Sequence, residues 1–143
     1  MPLIQIMIQL RDKERFPNPV AIAALAERFN LPNDSNMQDW EYVVADLARL
    51  DEFLAYAESC PDEDEAFVLI KLIFQSFEDL GGTALEDPRW ARVDKLLNTD
   101  FELHLSTLRY WASADQISED GWHIAPLVRS VIASHGVEKL SPS

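Results

Sequence analysis

Apolar residues recur along most of the chain at the three- and four-residue spacing of an amphipathic helix, and proline, asparagine, aspartate or glycine interrupts the pattern at intervals. Val20, Ala21, Ala24, Leu25 and Phe29 form one apolar face. Asn18 followed by Pro19 is an N-cap with proline at the first helical position, so a helix is predicted over residues 19–29. Leu31 to Asn36 is a connector of turn formers. Helical spacing resumes near Asp39 with Trp40, Val43, Val44 and Leu47. It continues, with or without a break near Leu50, through Phe53, Leu54 and Ala57 until Cys60-Pro61 ends it.

Asp62 precedes Glu65 by three residues, a capping-box arrangement ahead of Phe67, Ile70, Phe74, Phe77 and Leu80. Val68, Leu69, Leu72 and Ile73 make the other sides of this segment apolar as well, which predicts a central helix closed by Gly81-Gly82. Asp87-Pro88 caps a further helix bearing Trp90, Val93, Leu96 and Leu97, and Thr99 with Glu102 reads as a second capping box before Leu103, Leu105, Leu108 and Trp111. Beyond a polar turn over residues 113–121, Trp122-His123-Ile124 reads as a short extended piece. Pro126 opens a last helix through Leu127, Val128, Val131 and Ile132 that Gly136 stops. At the N-terminal end, Leu3 to Leu10 has helical spacing, but Ile4, Ile6, Ile8 and Leu10 also alternate as a strand would, and both readings stay open.

These elements predict an all-α fold: one compact multi-helix domain over residues 1–143, with about six to seven helices, stacked helical pairs as one open architecture, and residues 137–143 as a frayed tail. The length of 143 residues and a hydrophobic content of 48% suffice for one continuous core. No apolar stretch approaches the roughly 20 residues that cross a bilayer. The first residues lack the basic region and cleavage site of a secretory signal, and the single Cys60 excludes an internal disulfide. A cytoplasmic protein that avoids membranes is expected.

Charge changes the picture from fold to partner. Twenty-five acids against 12 bases give a net charge of −13, which repels phosphate backbones and anionic lipid and favours a basic protein partner. The imbalance is local. Residues 51–80 hold nine acids and only Lys71, a sum of −8, against −2 over residues 1–50 and −3 over residues 81–143. Within that segment Glu58, Asp62, Glu63, Asp64 and Glu65 place five carboxylates in eight residues, a cluster suited to meeting lysine and arginine side chains of a partner. Helix capping and the positive end of the helix dipole explain Asp62 and Glu65 but leave Glu58, Glu63 and Asp64 without a local reason. Tyr110 and Trp111 are adjacent on a predicted helix and cannot both point inward, so one of them is a candidate interface anchor beside the acids.

Catalytic and metal-binding patterns are not found. The acidic run lacks the ligand alternation and turn glycine of a calcium loop, and His104, His123 and His135 have no zinc spacing. His104 is expected to pair locally with Asp100, and His135 to face a helix C-terminus. The acids around Cys60 should raise its thiol pKa, away from reactivity. There is no nucleophile elbow, phosphate loop or dinucleotide fingerprint. A non-enzymatic protein with no cofactor and no metal is therefore expected. The alternative rests on Ile22 to Leu31, which looks like the first helix of a helix-turn-helix DNA-binding regulator or antitoxin. The helix that would read DNA, however, presents Asp39, Glu41 and Asp46 with no base before Arg49, so nucleic acid is an improbable partner on electrostatic grounds.

With its mid-chain acidic run, several tryptophans and no enzyme motif, the chain resembles the small acidic helical proteins that serve as immunity partners of bacterial toxins. Met37-Gln38-Asp39-Trp40-Glu41-Tyr42, Tyr110-Trp111 and Ile124-Ala125-Pro126-Leu127-Val128-Arg129 are also similar to segments of small uncharacterised bacterial proteins. The resemblance implies a non-enzymatic inhibitor that docks on a basic protein, a toxin in the immunity case.

Overall fold

A computed structural model describes residues 17–33, 40–112 and 123–135. The fold is all-α, with no strand among the described residues: α1 (Pro19–Phe29), α2 (Trp40–Val43), a 3-10 turn (Leu47–Arg49), α3 (Leu50–Ala57), α4 (Glu63–Glu78), a 3-10 helix (Gly81–Glu86), α5 (Trp90–Thr99), α6 (Leu105–Ala112) and α7 (Ala125–Ser134). The segment 3–10, the turn over 113–121, Trp122, Gly136 and the tail 137–143 lie outside the described residues.

Local chemistry sets most of the boundaries. The Asn18 side chain accepts the amides of Val20 and Ala21 at 2.7 and 3.4 Å and starts α1, while Asn30, in the left-handed region at φ 55°, ends it in the role usually given to glycine. The helical segment predicted from Asp39, with or without a break near Leu50, stops after Val43 and resumes beyond Asp46. Asp46 adopts an extended backbone, caps the next turn by accepting the Ala48 amide at 2.9 Å, and donates its own N–H to Ser76 Oγ of α4 at 3.1 Å. A cap and a tertiary bond thus outcompete helix continuation. The second predicted capping box also fails. Thr99 Oγ1 donates to the Lys95 carbonyl inside α5, residues 101–104 form a turn, and α6 begins only at Leu105. His123 and Ile124 form a turn instead of the extended piece expected there, since Ile124 already has helical dihedrals at the head of α7.

The expected central helix is central. Phe67, Val68, Leu69, Ile70, Leu72, Ile73, Phe74 and Phe77 of α4 are all buried, and α1, α2 and α3 pack directly against it. α3 and α4 form a helical hairpin, and α6 and α7 a second pair. The helices therefore gather around α4, and one hydrophobic cluster includes residues from every α-helix. An aromatic junction closes the core: Phe74 meets Trp111 of α6 edge-on at 5.8 Å and Trp90 of α5 at 5.8 Å, Phe77 meets Trp90 at 5.3 Å, and Tyr42 meets Trp111 at 5.9 Å. Each fully buried side chain of this kind contributes about 1.5–3 kcal/mol of burial energy. The Trp40 indole, also buried, donates to the Pro32 carbonyl at 2.6 Å and ties the connector after α1 to α2.

Candidate functional site

The acidic cluster lies where α3 ends and α4 begins, and its carboxylates have separate occupations. Asp62 is the N-cap of α4: one carboxylate oxygen accepts the amides of Asp64 and Glu65 at 2.8 and 3.1 Å. Glu65 turns away from the capping-box geometry and accepts the Tyr56 hydroxyl at 2.6 Å. That bond to a carboxylate, with burial adding to it, pushes the Tyr56 phenol well above its ordinary range. Asp64 accepts the Asn18 side-chain amide at 3.3 Å and so joins the starts of α1 and α4. Glu63 is exposed in the first turn, where the helix dipole favours a negative charge.

Glu58 receives a forked bond from the Arg92 guanidinium of α5, at 2.8 Å from Nε and 2.7 Å from the second nitrogen. This hydrogen-bonded pairing holds its carboxyl below the usual carboxylate range. Arg92 also lies 3.7 Å from Asp51, and Arg89 spans Asp51 at 3.5 Å and Asp87 at 2.7 Å. The bases missing from residues 51–80 are thus supplied from α5, and Glu58, one of the three acids without a local reason, is part of the α3–α5 contact. Sequence reading overlooked Arg89 and Arg92 because they lie 34 residues or more from Asp51 and Glu58. The usable signal was the spacing: Asp51 and Glu58 fall seven apart on one helical face, as Arg89 and Arg92 fall three apart on another.

Of the adjacent aromatics, Tyr110 is 56% exposed and Trp111 only 1%. Trp111 is therefore corrected from candidate contact to core residue, and Tyr110 remains the surface aromatic. The cluster and Tyr110 belong to different elements, the α3–α4 hairpin and α6. Other exposed apolar side chains are Val20, Val43, Leu47 and Leu85.

The Cys60 thiol donates to the Asp62 carbonyl at 3.4 Å, and burial foremost, with the Glu65 and Asp62 charges behind it, pushes its pKa up. The expected direction holds, but the leading cause is desolvation, not the neighbouring acids. His104 is buried at the head of α6, and its backbone amide bonds the Asp100 carbonyl at 3.4 Å, with Asp100 itself exposed. His135 caps the end of α7 and stacks on Phe101 at 3.8 Å. Among the described residues no three His, Cys, Asp or Glu side chains are arranged to hold a metal ion, and no helix is long and apolar enough to cross a membrane.

The chain matches no protein-family model, no curated protein and no solved structure at a significant level.

Proposed function

We propose that this is a non-enzymatic binding protein for a basic protein partner, acting in a reducing, cytoplasmic setting and of the immunity or inhibitor kind. One observation carries the reading. Even after Arg89 and Arg92 are drawn to Asp51 and Glu58, the exposed start of α4 presents Asp62 and Glu63 on a chain of net charge −13. Asp62 forms no ion pair among the described residues, so its carboxylate adds to the field that an approaching basic surface meets. Such a field steers encounter and sets the salt dependence of association more than the lifetime of the complex. Tyr110 supplies an exposed aromatic for buried contact.

The helix-turn-helix alternative gains nothing from the geometry. Among the described residues the helix after α1 is a single turn, Trp40–Val43, with Glu41 buried in it.

The test starts from the product of a toxin-like reading frame adjacent to this gene. Stopped-flow association of the intact proteins at low salt should slow several-fold on Glu63→Lys, and the slope against ionic strength should flatten. Tyr110→Ala should chiefly speed dissociation. Unchanged association with the charge-reversed variant rejects steering through α4. Retarded duplex DNA at low salt in a gel shift would favour the regulator instead.

A further inference from the structure

Glu78 stands in the last turn of α4, the end of a helix where the dipole disfavours a negative charge. Its carboxylate finds compensation 45 residues further along the chain. It accepts the backbone N–H of His123 at 2.8 Å and that of Ile124 at 3.1 Å, and it lies 2.8 Å from His123 Nδ1. The first residues of α7 offer no side-chain cap of their own, since Ile124 occupies the N-cap position. Glu78 therefore caps the entry to α7 from another helix by holding the His123 and Ile124 amides, and only 11% of its side chain is exposed.

We propose that Glu78 and His123 form a pH-sensitive latch that fastens the start of the last helix to the central helix. While Glu78 is ionised it offers only acceptor lone pairs to the donors aimed at it. Once protonated, one oxygen carries a hydrogen that opposes those donors, and the cap is lost. Protonation of the imidazole acts in the opposite sense, adding a charge partner while the carboxylate is still ionised.

Charged groups among the described residues lie on the elements beside the pair. On α4 itself Asp79 is occupied by Gln75 at 3.0 Å. The 3-10 helix that follows brings Glu86, and the Asp87 after it is bound by Arg89, just before α5. On α7 Arg129 donates to the Ala112 carbonyl of α6 at 2.9 Å. Among the described residues His123 is the basic group within ion-pair distance of Glu78. Release has consequences beyond one bond, because Ile124 and Val128 beside the latch are fully buried.

Amide hydrogen exchange on the intact chain tests the proposal, with intrinsic rates corrected and the centre of α4 as reference, from about pH 7.5 to about pH 4. Protection at the His123 and Ile124 amides should fall about tenfold or more toward acid while Ile70 and Phe74 hold. Glu78→Gln should show low protection at those amides throughout and no acid step. His123→Ala should keep the acid step and lose the salt-sensitive gain above it. Wild-type protection retained in Glu78→Gln overturns the latch. So does a wild-type profile in which α4 and α7 lose protection together. Should Glu78→Gln fail to fold, the wild-type and His123→Ala profiles still decide the matter.

Discussion

The start of α4 and the aromatic junction on the C-terminal half of the same helix are each a crowd of similar side chains in the fold, yet they are organised in opposite ways. At the start of α4 five acids separate into a cap, a phenol acceptor, an amide acceptor, an arginine partner and an exposed first-turn charge. At the junction Trp111, Tyr42, Phe74, Phe77 and Trp90 converge on one another, and Tyr110, one residue from Trp111, is left in solvent. Carboxylates repel and remain hydrated, so each is stable only beside its own donor. Aromatic rings gain by sharing one dry volume. Acidity along the chain is thus a poor guide to a single acidic site, whereas a helical run of aromatics does mark a single core.

The largest effect should come from the junction. Trp111→Ala leaves a cavity among Phe74 and Tyr42 and is expected to cost about 3–5 kcal/mol in urea denaturation followed by circular dichroism. Tyr110→Ala, one position away, should stay within about 0.5 kcal/mol. Equal losses at the two positions would erase the division between core and surface on α6.

Much of this was legible. The all-α class, the burial of α4 on most sides, the Asn18 and Asp62 caps and the limits of α1 follow from spacing and short-range hydrogen bonding, which a sequence displays directly. What could not be read is set across distance. The break at Asp46 depends on Ser76, thirty residues away. The occupation of Glu58 depends on Arg92, and the cap of α7 on Glu78. The adjacency of Tyr110 and Trp111 posed a choice that only the position of α6 against Phe74 resolves. The charge of the cluster was therefore visible in the sequence, and the partners of its members were not.

A second, smaller effect separates two neighbours within the acidic crowd. Asp62→Ala removes the acceptor of two α4 amides and should cost about 1 kcal/mol, read from the same denaturation midpoint at constant slope. Glu63→Ala should fall within about 0.5 kcal/mol, because it leaves the first-turn amides capped by Asp62 and removes an exposed charge favoured by the helix dipole. A loss at Glu63 as large as that at Asp62 would mean that the first turn acts as one electrostatic unit after all.

The smallest effect belongs to Glu58 and Arg92, and it is the sharpest test of whether the acids have individual partners. Both side chains are substantially exposed, so a double-mutant cycle of Glu58→Gln and Arg92→Met should give a coupling of at most about 1 kcal/mol at neutral pH and low salt. The pH dependence fixes its origin. The folded-state Glu58 carboxyl is lowered by the Arg92 hydrogen bonds, so its contribution is complete above the unfolded carboxylate pKa and disappears as the pH falls through the lower, folded one. The coupling should therefore persist on entering the ordinary carboxylate range and vanish below it, and added salt should weaken it throughout. A coupling insensitive to both acid and salt would point to packing of the Arg92 stem against α3. The charge of Glu58 would then again lack a partner inside the protein, and the case for its meeting one outside would be stronger.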